Sequence, residues 1–160
     1  MIWMILILIV VFTSILHIFL SKKPKNIENV LEAIILYWLV IYIGIGGLFG
    51  FFGHVFMADK IALSIGWQPG SPFQYEVGIA NLAFAVMGLL CLFFKDNFWL
   101  ATAIGQSVFV FGAAYGHIYD AVVHKNFAIN NVGPVLFLND LLFPIVLLAL
   151  VFAYKRLKGF

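Results

Sequence analysis

Charge is what this chain has least of. Only 10% of its 160 residues are Asp, Glu, Lys or Arg, 64% are hydrophobic, and the mean hydropathy is +1.10. A soluble domain of this size could not hide so much apolar surface, so the composition belongs to the polytopic membrane class. Cysteine is nearly absent too. Cys91 stands alone, which excludes an intrachain disulfide and any metal site built on cysteine pairs. Set among Leu89, Leu90, Leu92 and Phe93, it reads as a small core residue. No basic patch with interleaved aromatics and no recognition-helix pattern occurs, so nucleic acid is not an expected partner. Also missing are the nucleophile and metalloprotease motifs Gly-x-Ser-x-Gly and His-Glu-x-x-His, an internal repeat of the transporter kind, and any low-complexity segment. The first apolar run, Ile2 to Leu20, has no basic start and no small-x-small site after it, and is read as a retained helix rather than a signal peptide.

What the chain does have is long apolar runs. A bilayer-spanning helix needs about 20 mostly apolar residues. The expected fold is all-α: a transmembrane bundle of five helices at about 2–20, 30–57, 72–94, 98–124 and 134–154, a four-helix core plus an N-terminal helix, forming one membrane domain over 1–160. Pro24 closes the first link. Ser71-Pro72-Phe73-Gln74 reads as a helix start, with Ser71 as cap, Pro72 in the first turn and Gln74 completing a capping box. Lys95-Asp96-Asn97 reads as a tight turn, and Pro134 as the opening of the last helix. Seven of the nine basic residues (Lys22, Lys23, Lys25, Lys95, Lys155, Arg156, Lys158) then share one side, leaving Lys60 and Lys125 on the other. By the positive-inside rule the N-terminus is outside and the C-terminus cytoplasmic, in the cell membrane.

The few polar side chains are not scattered. At about 100° per residue, Gln106, Ala113, His117, Asp120 and His124 fall within about 60° of one another on the fourth helix. Gln106 lies on the order of 16 Å below His117. Such a stripe is costly against lipid and should face the bundle interior or a wet cavity. On the second helix Gly46, Gly50 and His54 recur every fourth residue, a small face that lets helices approach closely. Gly112 and Gly116 form a second small pair just before His117. The third helix adds Glu76 in its first turn and Asn81, turned about 140° away. The fifth adds Asn139 and Asp140, with Pro144 leaving the Asp140 carbonyl free of its helical donor. His54, Glu76, His117, Asp120 and Asp140 are therefore candidates for a shared outward-facing site. Trp67, Asn81, Gln106 and Asn139 are added as ligand-binding candidates. His124 and Asp59 read as headgroup-level groups, His17 as a satisfied helix-contact residue.

The segment from Gly50 to Leu89 resembles the small DoxX-like multi-helix membrane proteins. The resemblance rests on the helix end Gly50-Phe51-Phe52-Gly53, a short outer loop, and Glu76-Val77-Gly78-Ile79-Ala80-Asn81-Leu82 continuing to Gly88. It covers about a quarter of the chain. It implies a helical bundle linked to membrane redox or respiratory complexes, and Glu76 is the one residue it carries over.

Several functions are compatible with this pattern. A redox-associated protein would bind a metal, haem, quinone or other apolar ligand. His54, Glu76, His117 and Asp120 are chemically adequate for a metal ion, and His54 with His117 for haem. An enzyme on a lipid-like substrate would use Glu76, His117, Asp120 or Asp140 as catalytic acid-base groups. An accessory subunit would use its small-residue faces to join a larger membrane complex or a homo-oligomer. Ion transport ranks below these, because the polar groups stop in the outer half.

Overall fold

The computed structural model describes residues 2–159 and is helical throughout, with five helices long and apolar enough to cross a bilayer. The architecture is that of a multi-pass membrane protein. The spans are α1 (Ile2–Leu20), α2 (Ile27–Phe56), α4 (Phe73–Leu90), α5 (Asn97–Val123) and α6 (Ile129–Lys158), with a short α3 (Ala58–Ser64) between α2 and α4. α2 packs on α4 along most of its length and also touches α1 and α6, while α5 packs on α6. α1 sits mainly on α2 at the edge of the bundle.

Local chemistry sets the boundaries. Asn26 caps α2, its Oδ1 accepting from Asn29 N at 2.9 Å, which satisfies one of the orphan donors of a helix start. α4 stops at Leu90 rather than near 94, because the chain turns at Cys91 and comes back through Asp96, held at φ 57°. The last span begins near 129, earlier than Pro134 suggests, with a break at Gly133.

Two spans contain π-helical turns, Trp38–Ile45 in α2 and Val135–Leu142 in α6. Such wide turns are rare and concentrate at functional sites. In α6 the wide turns absorb Pro144: Phe143 N donates to Leu138 O, five residues back. In α2 the wide turns meet α4 at close range. A Cβ on Gly88 would lie 2.5 Å from Gly44 N and 2.7 Å from Leu39 O, so only glycine fits this crossing.

The apolar core lies toward the lysine-rich end, where Ile35 and Leu39 of α2, Trp99 of α5, and Leu147, Val151 and Tyr154 of α6 are fully buried. Ion pairs close that end over the core. Glu32 Oε1 takes Lys95 at 2.7 Å and Lys23 at 3.4 Å, the Tyr154 hydroxyl donates to Glu32 Oε2 at 3.4 Å, and Lys158 pairs with Glu28. Both carboxylates sit near the start of α2, where the helix dipole favours negative charge.

Candidate functional site

Polar side chains gather at two levels of the other half. The deeper level lies near mid-helix, between α2, α5 and α6. Tyr42, in the wide turns of α2, donates its hydroxyl to Asn139 Oδ1 in the wide turns of α6, and Asn139 Nδ2 donates to Asp140 Oδ1. The two π-helical stretches are therefore joined by a buried polar chain that ends on a carboxyl group only 4% exposed. Beside it lies a pocket of about 260 Å³ lined by Trp38, Tyr42, Gln106, Ser107, Asn139 and Phe143, among others. Two buried oxygens on its wall, Gln106 Oε1 and Ser107 Oγ, have no hydrogen-bond partner. Buried polar atoms are almost always partnered, so these two oxygens leave hydrogen-bonding capacity open on the cavity wall.

The second level closes the histidine end. Trp67, in the loop after α3, donates its indole N–H to Asp120 Oδ2 at 2.9 Å, and its ring stacks on that of His117 with centroids 5.7 Å apart. His124 Nδ1 donates to Asp120 Oδ1 at 2.8 Å. Asn126 Nδ2 donates to Asp120 Oδ2 at 2.6 Å and to Ile65 O at 2.8 Å. Asn131, with no exposed surface, donates to Asn126 O at 2.8 Å and to His117 O at 3.4 Å, while its Oδ1 accepts from His117 Nδ1 at 2.7 Å. Because the Asn131 amide nitrogen is committed to two carbonyls, its oxygen faces His117. The ring therefore donates from Nδ1 in this pair. Gly66 lets the loop approach this closely: it holds φ 79°, and a Cβ there would come 2.5 Å from Asn126 Oδ1.

The candidates from sequence separate into distinct groups. Trp67, His117 and Asp120 share the histidine-end network, and Gln106, Asn139 and Asp140 belong to the pocket level. His54 is held apart, its Nδ1 donating to Gln74 Oε1 at 2.6 Å across α2 and α4. Gln74, 3% exposed, thus serves His54 in place of the expected capping box; Pro72 stands at the N-cap position with no side-chain cap, and Ser71 Oγ accepts only from Phe73 N at 3.3 Å. Asn81 donates to Val77 O at 2.8 Å and packs on Gly50. Glu76 is exposed on the outside of α4. His54, Glu76, His117 and Asp120 therefore do not form one ligand set. Among the described residues no three His, Cys, Asp or Glu side chains cluster as metal ligands would. Tyr42, Gln74, Ser107, Asn126 and Asn131 were missed by sequence reading. The available signal was their polarity: Tyr42 and Ser107 sit inside apolar spans, and the two asparagines flank a span start.

The two small-residue faces also come out differently. Gly46 packs on Trp3 of α1, Gly50 on Asn81 of α4, and nothing lies near Gly112 or Gly116.

A family model for proteins of unknown function, DUF6790, matches residues 1–160, and the chain belongs to that family. The DoxX-like resemblance of Gly50 to Leu89 finds no support in this match. No curated protein and no solved structure is similar enough to count as a match.

Proposed function

We propose that this member of a family of unknown function binds a small apolar ligand with a hydroxyl-bearing ring, of the quinol type, in the pocket between α2, α5 and α6. One observation carries the reading: Gln106 Oε1 and Ser107 Oγ are buried, unpartnered and on the wall of the same cavity. Gln106 Oε1 can only accept, so the guest must donate a hydrogen bond. Acyl chains have no donor to offer at this depth, whereas a ring hydroxyl does. The half-buried rings of Trp38 and Phe143 flank the space, so a flat ring could enter only by parting them. A tail would lie in the bilayer. Asp140, behind Asn139, would hold or release a proton near the guest without touching it. Binding a quinol would make the protein redox-associated.

The test is a titration of detergent-purified protein with a short-chain ubiquinol analogue, followed by Trp38 fluorescence. Saturable quenching is expected. It should weaken at least about tenfold in Gln106→Leu/Ser107→Ala, the loss of roughly one buried hydrogen bond. Equal titrations in both proteins would end this reading. A bound metal or a Soret band in the purified protein would replace it with a cofactor site.

A further inference from the structure

A second cavity, of about 380 Å³, opens at the lysine-rich end between α1 and α2. Its upper wall is polar: Ser21, Lys23, Lys25 and Asn29. Its lower wall is mostly apolar, descending past Ile18, Val30 and Ala33 to Leu36, with one polar ring, His17, whose Nδ1 is hydrogen-bonded to the Tyr37 hydroxyl at 3.1 Å. Leu36 lies seven residues below Asn29, on the order of 10 Å along the helix. The cavity therefore spans headgroup and upper acyl depth.

Its charge is one-sided. The only acid lining it is Glu32, which already carries Lys95 and Lys23 on one oxygen and the Tyr154 hydroxyl on the other. Lys25 reaches over the Phe19 ring at 5.4 Å and is in no ion pair with a described residue. The start of α2 adds the positive end of its dipole. A polar, cationic mouth over an apolar groove suits a molecule that is anionic at one end and greasy at the other. We propose that this cavity is a binding site for the phosphate-bearing headgroup of an anionic phospholipid, with its first acyl carbons in the groove. Basic pockets between membrane helices take such headgroups, at about 1 kcal/mol per lysine near the surface. A free phosphate would use the mouth but leave the groove empty.

The full chain, purified in a neutral detergent, is mixed with phosphatidylglycerol or phosphatidylcholine of the same acyl length, and retained lipid is read by native mass spectrometry. Phosphatidylglycerol should be preferred about fivefold, the ratio that one unpaired lysine supplies. The preference should vanish in Lys23→Gln/Lys25→Gln and survive in Lys60→Gln/Lys125→Gln, which removes the same charge at the other end. Lys25→Glu, at an exposed position that leaves both Glu32 pairs intact, should abolish it as well. Inorganic phosphate in large excess should not displace the lipid. Equal retention of the two lipids, or unchanged preference in Lys25→Glu, overturns the site. Displacement by phosphate overturns the lipid and leaves a free anion as the occupant.

Discussion

Asn131 and Ser107 are both buried polar side chains, and they differ in one respect. Asn131 satisfies three hydrogen bonds, while the Ser107 hydroxyl satisfies none. Removing one partner from a buried pair costs the stranded group its desolvation, about 1–3 kcal/mol. Asn131→Ala strands His117 Nδ1 and Asn126 O and should destabilise the protein by that amount, read as a lower midpoint in detergent unfolding. Ser107→Ala removes a group that strands nothing, and the ligand-free protein should be unchanged or slightly more stable in the same assay. A loss in Ser107→Ala as large as in Asn131→Ala would mean that the hydroxyl has a partner, and the quinol-type reading would lose its footing. His117 and Asp120 were legible in the sequence because ionisable groups stand out in an apolar helix. Their partners Asn126, Asn131 and Trp67 lie at or near loops, and Tyr42 pairs with Asn139 across two spans. A hydrogen-bond partner is chosen by three-dimensional approach, which periodicity along one helix does not encode.

Helix crossings show the same division between what spacing gives and what packing decides. Gly46, Gly50 and His54 follow one another every fourth residue, and each such step turns the face by about 40°. Within one step the stripe leaves the α1 side, where Gly46 meets Trp3, and reaches α4, where Gly50 meets Asn81. The glycines at the tightest crossing, Gly44 and Gly88, belong to no fourfold stripe in the sequence, because the wide turns of α2 wind more slowly. Gly88→Ala should therefore cost about 1–3 kcal/mol by forcing backbone against backbone, while Gly112→Ala and Gly116→Ala, with nothing near their Cβ positions, should leave stability unchanged. Equal effects at all three would contradict the crossing. The α4–α5 turn allows a chemical check. Cys91 has no exposed surface, its carbonyl accepts from Trp99 Nε1 at 2.9 Å, and burial pushes its thiol up to about 11. Only the thiolate is reactive, and at mildly alkaline pH little is present. Maleimide should leave the folded protein unlabelled and react fully after denaturation.

The whole molecule is polarised. One end is closed by charges, with Glu28 and Glu32 gathering Lys23, Lys95 and Lys158, and it stands over the apolar core. The opposite end is closed largely by neutral groups hydrogen-bonded around Asp120, over a polar pocket. The seven-to-two division of basic residues was legible from the sequence, because it needs only the number of spans and the positions of the links. Five spans put the two chain ends on opposite sides, and the positive-inside rule predicts a cytoplasmic lysine-rich end, which labelling can test. In a Cys91→Ser background, Lys22→Cys should resist a membrane-impermeant maleimide in intact cells and label after permeabilisation. Lys125→Cys should label in both states. Both positions are exposed and outside every ion pair among the described residues, so neither substitution disturbs a closure of the bundle. The reverse pattern would turn the histidine end toward the cytoplasm, and with it the lipid cavity toward the outer leaflet.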